Sequence, residues 1–204
     1  RVLFRSWQRA TDECRLRGFW RVDAGNYVLL GVTSTLIGLA LFRADALESE
    51  WPTWERLREE HLAEVRAAFS TLHPGQRVLL FCHDPSALPF LWQEEVVRAR
   101  ARQITHTVIG HLHTPILLWK AKLLAGLPPI RFLGASLART TTGLSEARHW
   151  KRFNVVLCPS LAGIQLTRGG GYLTVDLDET GARPPMITRH SMRRKSSRGA
   201  SGER

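Results

Sequence analysis

Short apolar runs alternate with amphipathic segments along most of this chain. Apolar runs of strand length, bounded by glycine, proline or polar residues, predict buried β-strands. Segments with apolar residues at three- and four-residue steps predict helices between them. The predicted strands are residues 27–32, 77–82, 105–109, 130–133, 154–158 and 171–177. This alternation favours an α/β domain with a sheet covered on its faces.

The clearest predicted helix spans residues 51–72. Its apolar face consists of Trp54, Leu57, His61, Val65, Ala68, Phe69 and Leu72. Pro52 suits the first turn, and the His-Pro-Gly sequence at 73–75 ends the pattern. Weaker patterns predict a helix at 89–103 and a short one at 114–125. These helices would connect successive strands of a parallel sheet.

Residues 24–42 carry no charged side chain and are about as long as a membrane-spanning helix. Gly25, Asn26, Gly31, Thr33 and Gly38 interrupt the run, however. Glycine and hydroxyl residues at this density are typical of a strand, a turn and a second apolar segment. We therefore expect a buried strand here and no membrane span.

Composition is that of one globular domain with a sizeable core, since 44% of the 204 residues are hydrophobic and 23% are charged. The three cysteines, Cys14, Cys82 and Cys158, are too scattered for a disulfide framework. A reducing, cytoplasmic location fits this cysteine usage best.

The formal net charge of +11 is concentrated near the C-terminus. Seven basic residues and one acid lie from Arg183 onward, so this segment carries +6 of the total. It has few apolar residues, and we expect residues 183–204 to form a disordered basic tail. Such a tail is usually only solvated, which makes nucleic acid a possible but not a favoured partner.

Three of the eight histidines directly follow predicted strands. His83 ends the strand at 77–82, and Gly110-His111-Leu112-His113 follows the strand at 105–109. Side chains two apart in extended chain point the same way, and ligands of α/β sheets collect at the carboxyl ends of strands. The three imidazoles are therefore expected to converge on a metal such as Mn, Fe or Zn. The remaining histidines fit surface or packing positions: His61, His73, His106, His149 and His190.

The Gly110-His111-Leu112-His113 sequence resembles the Gly-His-x-His motif of the calcineurin-like metallophosphoesterases. Phe81-Cys82-His83-Asp84-Pro85 is similar to the strand-then-His motif that precedes it in that family, and the resemblance covers about residues 27–177. It implies a layered β-sandwich core flanked by helices. It also implies two divalent metal ions about 3.5 Å apart that activate water for hydrolysis of a phosphate ester. His83 and His111 would bind one ion and His113 the other.

The chain departs from the family pattern in one respect. The earlier Asp-x-His, Gly-Asp-x-x-Asp and Gly-Asn-His motifs do not occur in it. Three neutral imidazoles cannot offset two divalent ions, which need carboxylate ligands as well. We therefore expect residues 22–182 to be the C-terminal part of a metallophosphoesterase domain whose N-terminal half is missing, with residues 1–21 as a connector. The isolated fragment is expected to be inactive. A nuclease of the same superfamily and a non-catalytic binding or regulatory module are the alternatives.

Overall fold

The computed structural model describes Trp7 and residues 9–41, 47–110, 146–159 and 170–192. Its strands are β1 (Trp20–Ala24), β2 (Tyr27–Val32), β3 (Arg77–Cys82), β4 (Ile104–Ile109), β5 (Val155–Leu157), β6 (Gly171–Asp176) and β7 (Met186–Ser191). Its α-helices are α1 (Ser34–Ile37), α2 (Trp51–Ser70), α3 (Leu88–Gln93) and α4 (Glu95–Ala99). Short 3₁₀ turns lie at Glu48–Glu50, Pro85–Ala87, Ala101–Gln103 and Glu146–Phe153, and a π-helical turn lies at Arg9–Glu13.

Five strands form one mixed sheet in the order β1-β2-β3-β4-β5. β1 and β2 are an antiparallel hairpin whose turn includes Gly25 at a positive φ of 57°. β2, β3, β4 and β5 run parallel to one another. Their carboxyl ends therefore meet at one edge of the sheet. The predicted α/β class and the predicted parallel pairing of the strands before His83 and His111 are both confirmed.

Helices cover one face of this sheet. Val28, Leu30 and Leu80 on that face belong to the same buried cluster as Leu62 and Phe69 of α2. Their burial contributes to the hydrophobic stabilisation of the fold, because apolar area removed from water contributes about 25 cal/mol per Å². α2 forms where it was predicted, with Pro52 in its first turn. It ends at Ser70, since Thr71 leaves the helical conformation.

The opposite face of the sheet is less covered within the described residues. Trp20, Gly31, Phe81 and Val108 are register partners across β1 to β4 and therefore share this face. The indole of Trp20 lies directly over Gly31, where a Cβ would collide with the ring. Its centroid is 5.3 Å from that of Phe81. Trp20 is still 38% exposed, so apolar surface on this side contacts solvent.

The prediction of one helix over residues 89–103 is wrong. α3 and α4 are separate because Glu94 between them has extended backbone, with φ −68° and ψ 115°. The carboxylate of Glu94 accepts a hydrogen bond from Arg66 Nε of α2 at 2.6 Å. The backbone oxygen of Glu94 accepts the N–H of Arg98 as α4 begins. Periodicity within the segment does not reveal the break. The predicted helix at 114–125 and the predicted strand at 130–133 lie outside the described residues.

Both ends of the predicted domain need correction. Residues 1–21 were expected to be a connector, but Trp20 and Arg21 belong to β1 and pair with β2. The prediction of a disordered tail from Arg183 is also wrong for residues 186–191, which form β7 paired with β6. Tyr27 Oη donates to the backbone oxygen of Arg183 at 2.6 Å, which attaches this segment to the main sheet. The backbone pairing of β7 needs no apolar side chains of its own, so composition misses it. Residues 193–204 lie outside the described residues.

The charge-free stretch 24–42 contains β2 and α1, as expected of a strand followed by a second apolar segment. None of the helices among the described residues combines the length and the apolar character needed to cross a membrane.

Candidate functional site

His83 lies at the carboxyl edge of the sheet, immediately after β3. Gly110 occupies the equivalent position after β4, and its N–H donates to the backbone oxygen of His83 at 3.0 Å. A Cβ on Gly110 would lie only 2.8 Å from His83 Nδ1. The imidazole therefore rests against the backbone from which the His111-Leu112-His113 sequence begins.

The sequence after His83 explains why the chain turns away at this edge. Asp84 Oδ1 accepts the N–H of Ser86 at 2.9 Å, and Pro85 begins a 3₁₀ turn. Both features are typical of the first turn of a helix, where a side chain supplies the acceptor that the backbone lacks. The strand thus ends at His83, and the chain leaves the sheet in the direction of α3.

A cleft of about 350 Å³ lies at the same edge. Its described lining comes from the ends of the parallel strands and from the segment before β1. These residues are Arg17, Gly18, Trp20, Gly31, Val32, Thr33, Phe81, Cys82, His83, Val108, Ile109, Gly110 and Cys158. The cleft combines apolar and aromatic walls with one imidazole and one guanidinium. A few polar groups on a largely apolar lining are typical of small-ligand sites.

His111 and His113 lie outside the described residues, so the convergence of three imidazoles stays a prediction. Among the residues whose structure is described, no group of three or more His, Cys, Asp or Glu side chains is arranged to hold a metal ion. A site with three protein ligands at His83 would therefore need ligands from outside that set, and His111 and His113 are the nearest in sequence to Gly110.

Cys82 lines the cleft, and its side chain is buried in the core. Burial, followed by the negative charge of Asp84, raises the pKa of its thiol well above the usual range. In the metal-free chain the thiol is therefore protonated at neutral pH. The Cys82 thiol donates to the backbone oxygen of Asp84 at 3.3 Å. Its role is therefore in packing, as the apolar run around it predicts.

One buried histidine contacts a residue of the cleft wall, Thr33, without lining the cleft itself. His61 of α2 is 3% exposed, and its Nε2 accepts the backbone N–H of Thr33 at 3.1 Å. Burial lowers the pKa of His61 to about 4. The sequence predicts only a satisfied packing residue here. The position of His61 on the apolar face of α2 was the one available signal, and the identity of its partner depends on the tertiary structure.

Comparison of the chain with protein-family models, with curated proteins and with solved structures finds no match. The features of the chain that bear on its function are the two histidine motifs and the contact between His83 and Gly110.

The Gly110→Ala substitution tests that contact. Its new methyl group would meet the His83 imidazole, and we expect the ring to be displaced from the sheet edge. Zn²⁺ affinity, measured by isothermal titration calorimetry, should fall roughly 10–100-fold, as it does when the orientation of a ligand is disturbed. Gly75→Ala is the matched control, because a Cβ there meets nothing within 4 Å. Equal affinities for the two variants would contradict a metal site at His83.

Proposed function

We propose that this chain forms part of a metal-dependent phosphoesterase, in which His83, His111 and His113 bind two divalent ions. The observation that carries the proposal is the packing of the His83 ring against Gly110, the first residue of the Gly-His-Leu-His sequence. The His83 motif and the Gly-His-Leu-His motif are separated in sequence, but they begin side by side at the carboxyl edge of a parallel sheet. Ligand sites of α/β folds are found at this edge.

The face of the sheet opposite α2 is only partly covered, since Trp20 is 38% exposed whereas Tyr27 and Leu79 on the same face are buried. A layered β-sandwich would bury Trp20, Phe81 and Val108 between two sheets and place the helices outside. The described helices do lie on the other face, with Leu62 and Phe69 of α2 packed against it. Partial exposure of apolar side chains on the face opposite the helices is compatible with this architecture.

The donor atoms at this edge fit part of a binuclear centre. Imidazole nitrogen is a good ligand for Zn, Mn and Fe. When bound, the ions lower the pKa of a water molecule and neutralise the oxygens of a phosphate ester. His83 would hold its ion in a fixed orientation, because Gly110 limits the movement of the ring. Asp84 Oδ1 next to it accepts the N–H of Ser86, so this oxygen is engaged in the turn after β3.

Metal titration of the 204-residue chain tests the proposal. Zn²⁺ and Mn²⁺ binding should be measured for the wild type and for His83→Ala, His111→Ala and His113→Ala. We expect each substitution to weaken binding by at least about tenfold, because each removes a direct ligand. His73→Ala is the control, since His73 is exposed and lies in the loop before β3. Unchanged affinity in the His111 and His113 variants would refute the proposed site.

Hydrolysis of a generic aryl phosphate monoester or diester is the second measurement. The chain alone is expected to show background turnover even with Mn²⁺ or Zn²⁺ added, because the family's carboxylate-bearing motifs do not occur in its sequence. Turnover that a chelator abolishes would support phosphoesterase activity and overturn the expectation that the chain carries only part of the site. Metal binding that includes His83 but persists without any activity in the complete protein would favour a binding or regulatory module.

A further inference from the structure

A chain of hydrogen bonds connects α2 to the rim of the cleft. His61 Nε2 accepts from the backbone N–H of Thr33, at 3.1 Å. The hydroxyl of Thr33 in turn donates to the backbone oxygen of Gly18 at 2.7 Å. Thr33 and Gly18 both line the cleft that contains His83. Three segments far apart in sequence, α2, the end of β2 and the segment before β1, are thereby joined behind one wall.

Thr33 occupies the N-cap position of α1 but does not cap that helix with its side chain. A threonine at this position ordinarily uses its hydroxyl to satisfy the first N–H groups of the helix. Here the hydroxyl donates to the backbone oxygen of Gly18 instead, and the N–H of Thr33 donates to His61. Removal of the imidazole acceptor would leave this N–H without its partner.

We propose that neutral His61 is a positioning residue that holds Thr33 and Gly18 in place at the cleft rim, and that protonation of its ring releases them. The inference does not depend on a metal at His83 or on phosphoesterase activity. It follows from the direction of the hydrogen bond, because an Nε2 that accepts carries no proton and the ring proton must be on Nδ1. If the ring were protonated, Nε2 would also carry a proton and could no longer accept the Thr33 N–H. The two donors would then repel each other.

The groups around His61 keep it neutral at physiological pH. Phe19 packs its ring edge-on at 6.1 Å between centroids, which excludes water. Glu64 Oε2 lies 3.8 Å from Nδ1 and would attract a protonated ring. Arg17 and Arg21 line the adjacent recess together with Glu64 and oppose that attraction. Burial is the main reason that the pKa of His61 falls to about 4. The contact with Thr33 is thus intact at neutral pH and is lost only in acid.

Amide hydrogen exchange measured by NMR at pH 7 tests the proposal. His61→Leu removes the acceptor while keeping an apolar side chain, and His61→Gln supplies an amide oxygen in its place. We expect the Thr33 amide to exchange roughly tenfold faster in the Leu variant, as the loss of one buried hydrogen bond requires. The rate in the Gln variant should stay close to that of the wild type. The amides of Leu30 and Leu80 in the sheet should change little in either variant.

Two results would overturn the proposal. One is an unchanged rate at Thr33 in the Leu variant, and the other is equal acceleration at Thr33, Leu30 and Leu80, which would indicate general destabilisation only. The wild-type chain provides a test that needs no substitution. Its ¹⁵N spectrum at pH 7 should show an unprotonated Nε2 on His61, and a proton on that nitrogen would refute the proposed role even if neither variant folds.

Discussion

Acidification from pH 7 to pH 4 is expected to lower the unfolding free energy of the wild-type chain by about 3 kcal/mol more than that of the His61→Gln variant. The pKa of His61 falls from an ordinary 6.5 to about 4 in the folded chain because the ring is buried. Below pH 6.5 the unfolded chain therefore binds a proton that the folded chain does not. Stability falls with pH through this window and levels off near pH 4.

Urea denaturation at several pH values between 7 and 4 measures this difference. Carboxylates and other histidines also titrate over part of the range, so only the difference between wild type and variant is diagnostic. His73→Gln, which changes an exposed histidine, should follow the wild type. If the wild type and His61→Gln lost stability equally, His61 would not be a buried neutral residue.

The Phe69→Ala substitution is expected to lower the unfolding free energy by about 3–5 kcal/mol. Phe69 is 1% exposed and belongs to the cluster in which α2 packs on the sheet. Its removal loses the transfer free energy of the ring and leaves a cavity that the neighbouring strands cannot fill completely.

Thermal or urea unfolding at pH 7 checks this value. Leu16→Ala is a matched control, because Leu16 is also apolar but 61% exposed, and its loss should cost little. A Phe69 variant as stable as the Leu16 variant would show that α2 does not cover the sheet in the way described.

Local sequence was sufficient for the elements whose residues carry their own pattern. β2 and β3 are continuous apolar runs, and α2 shows a 3.6-residue period over five turns' worth of sequence, so the bounds of all three could be predicted closely. The position of His83 at a strand end followed from the same run. These elements can be predicted because their apolar patterns lie within short stretches of the chain and match the period of a strand or a helix.

The remaining features depend on contacts between distant segments. β1 and β7 are half-polar and acquire their structure by pairing with β2 and β6. Glu94 interrupts a helical pattern at the point where its carboxylate contacts Arg66 of α2.

The site divides in the same way. The residue pattern along the chain is enough to predict that His83 follows a buried strand and that His61 lies on an apolar helix face. The contact of His83 with Gly110 and the hydrogen bond from Thr33 to His61 form only in the folded chain. Both contacts join segments that the parallel sheet brings together, and the energy of such a contact exists only once the chain has folded.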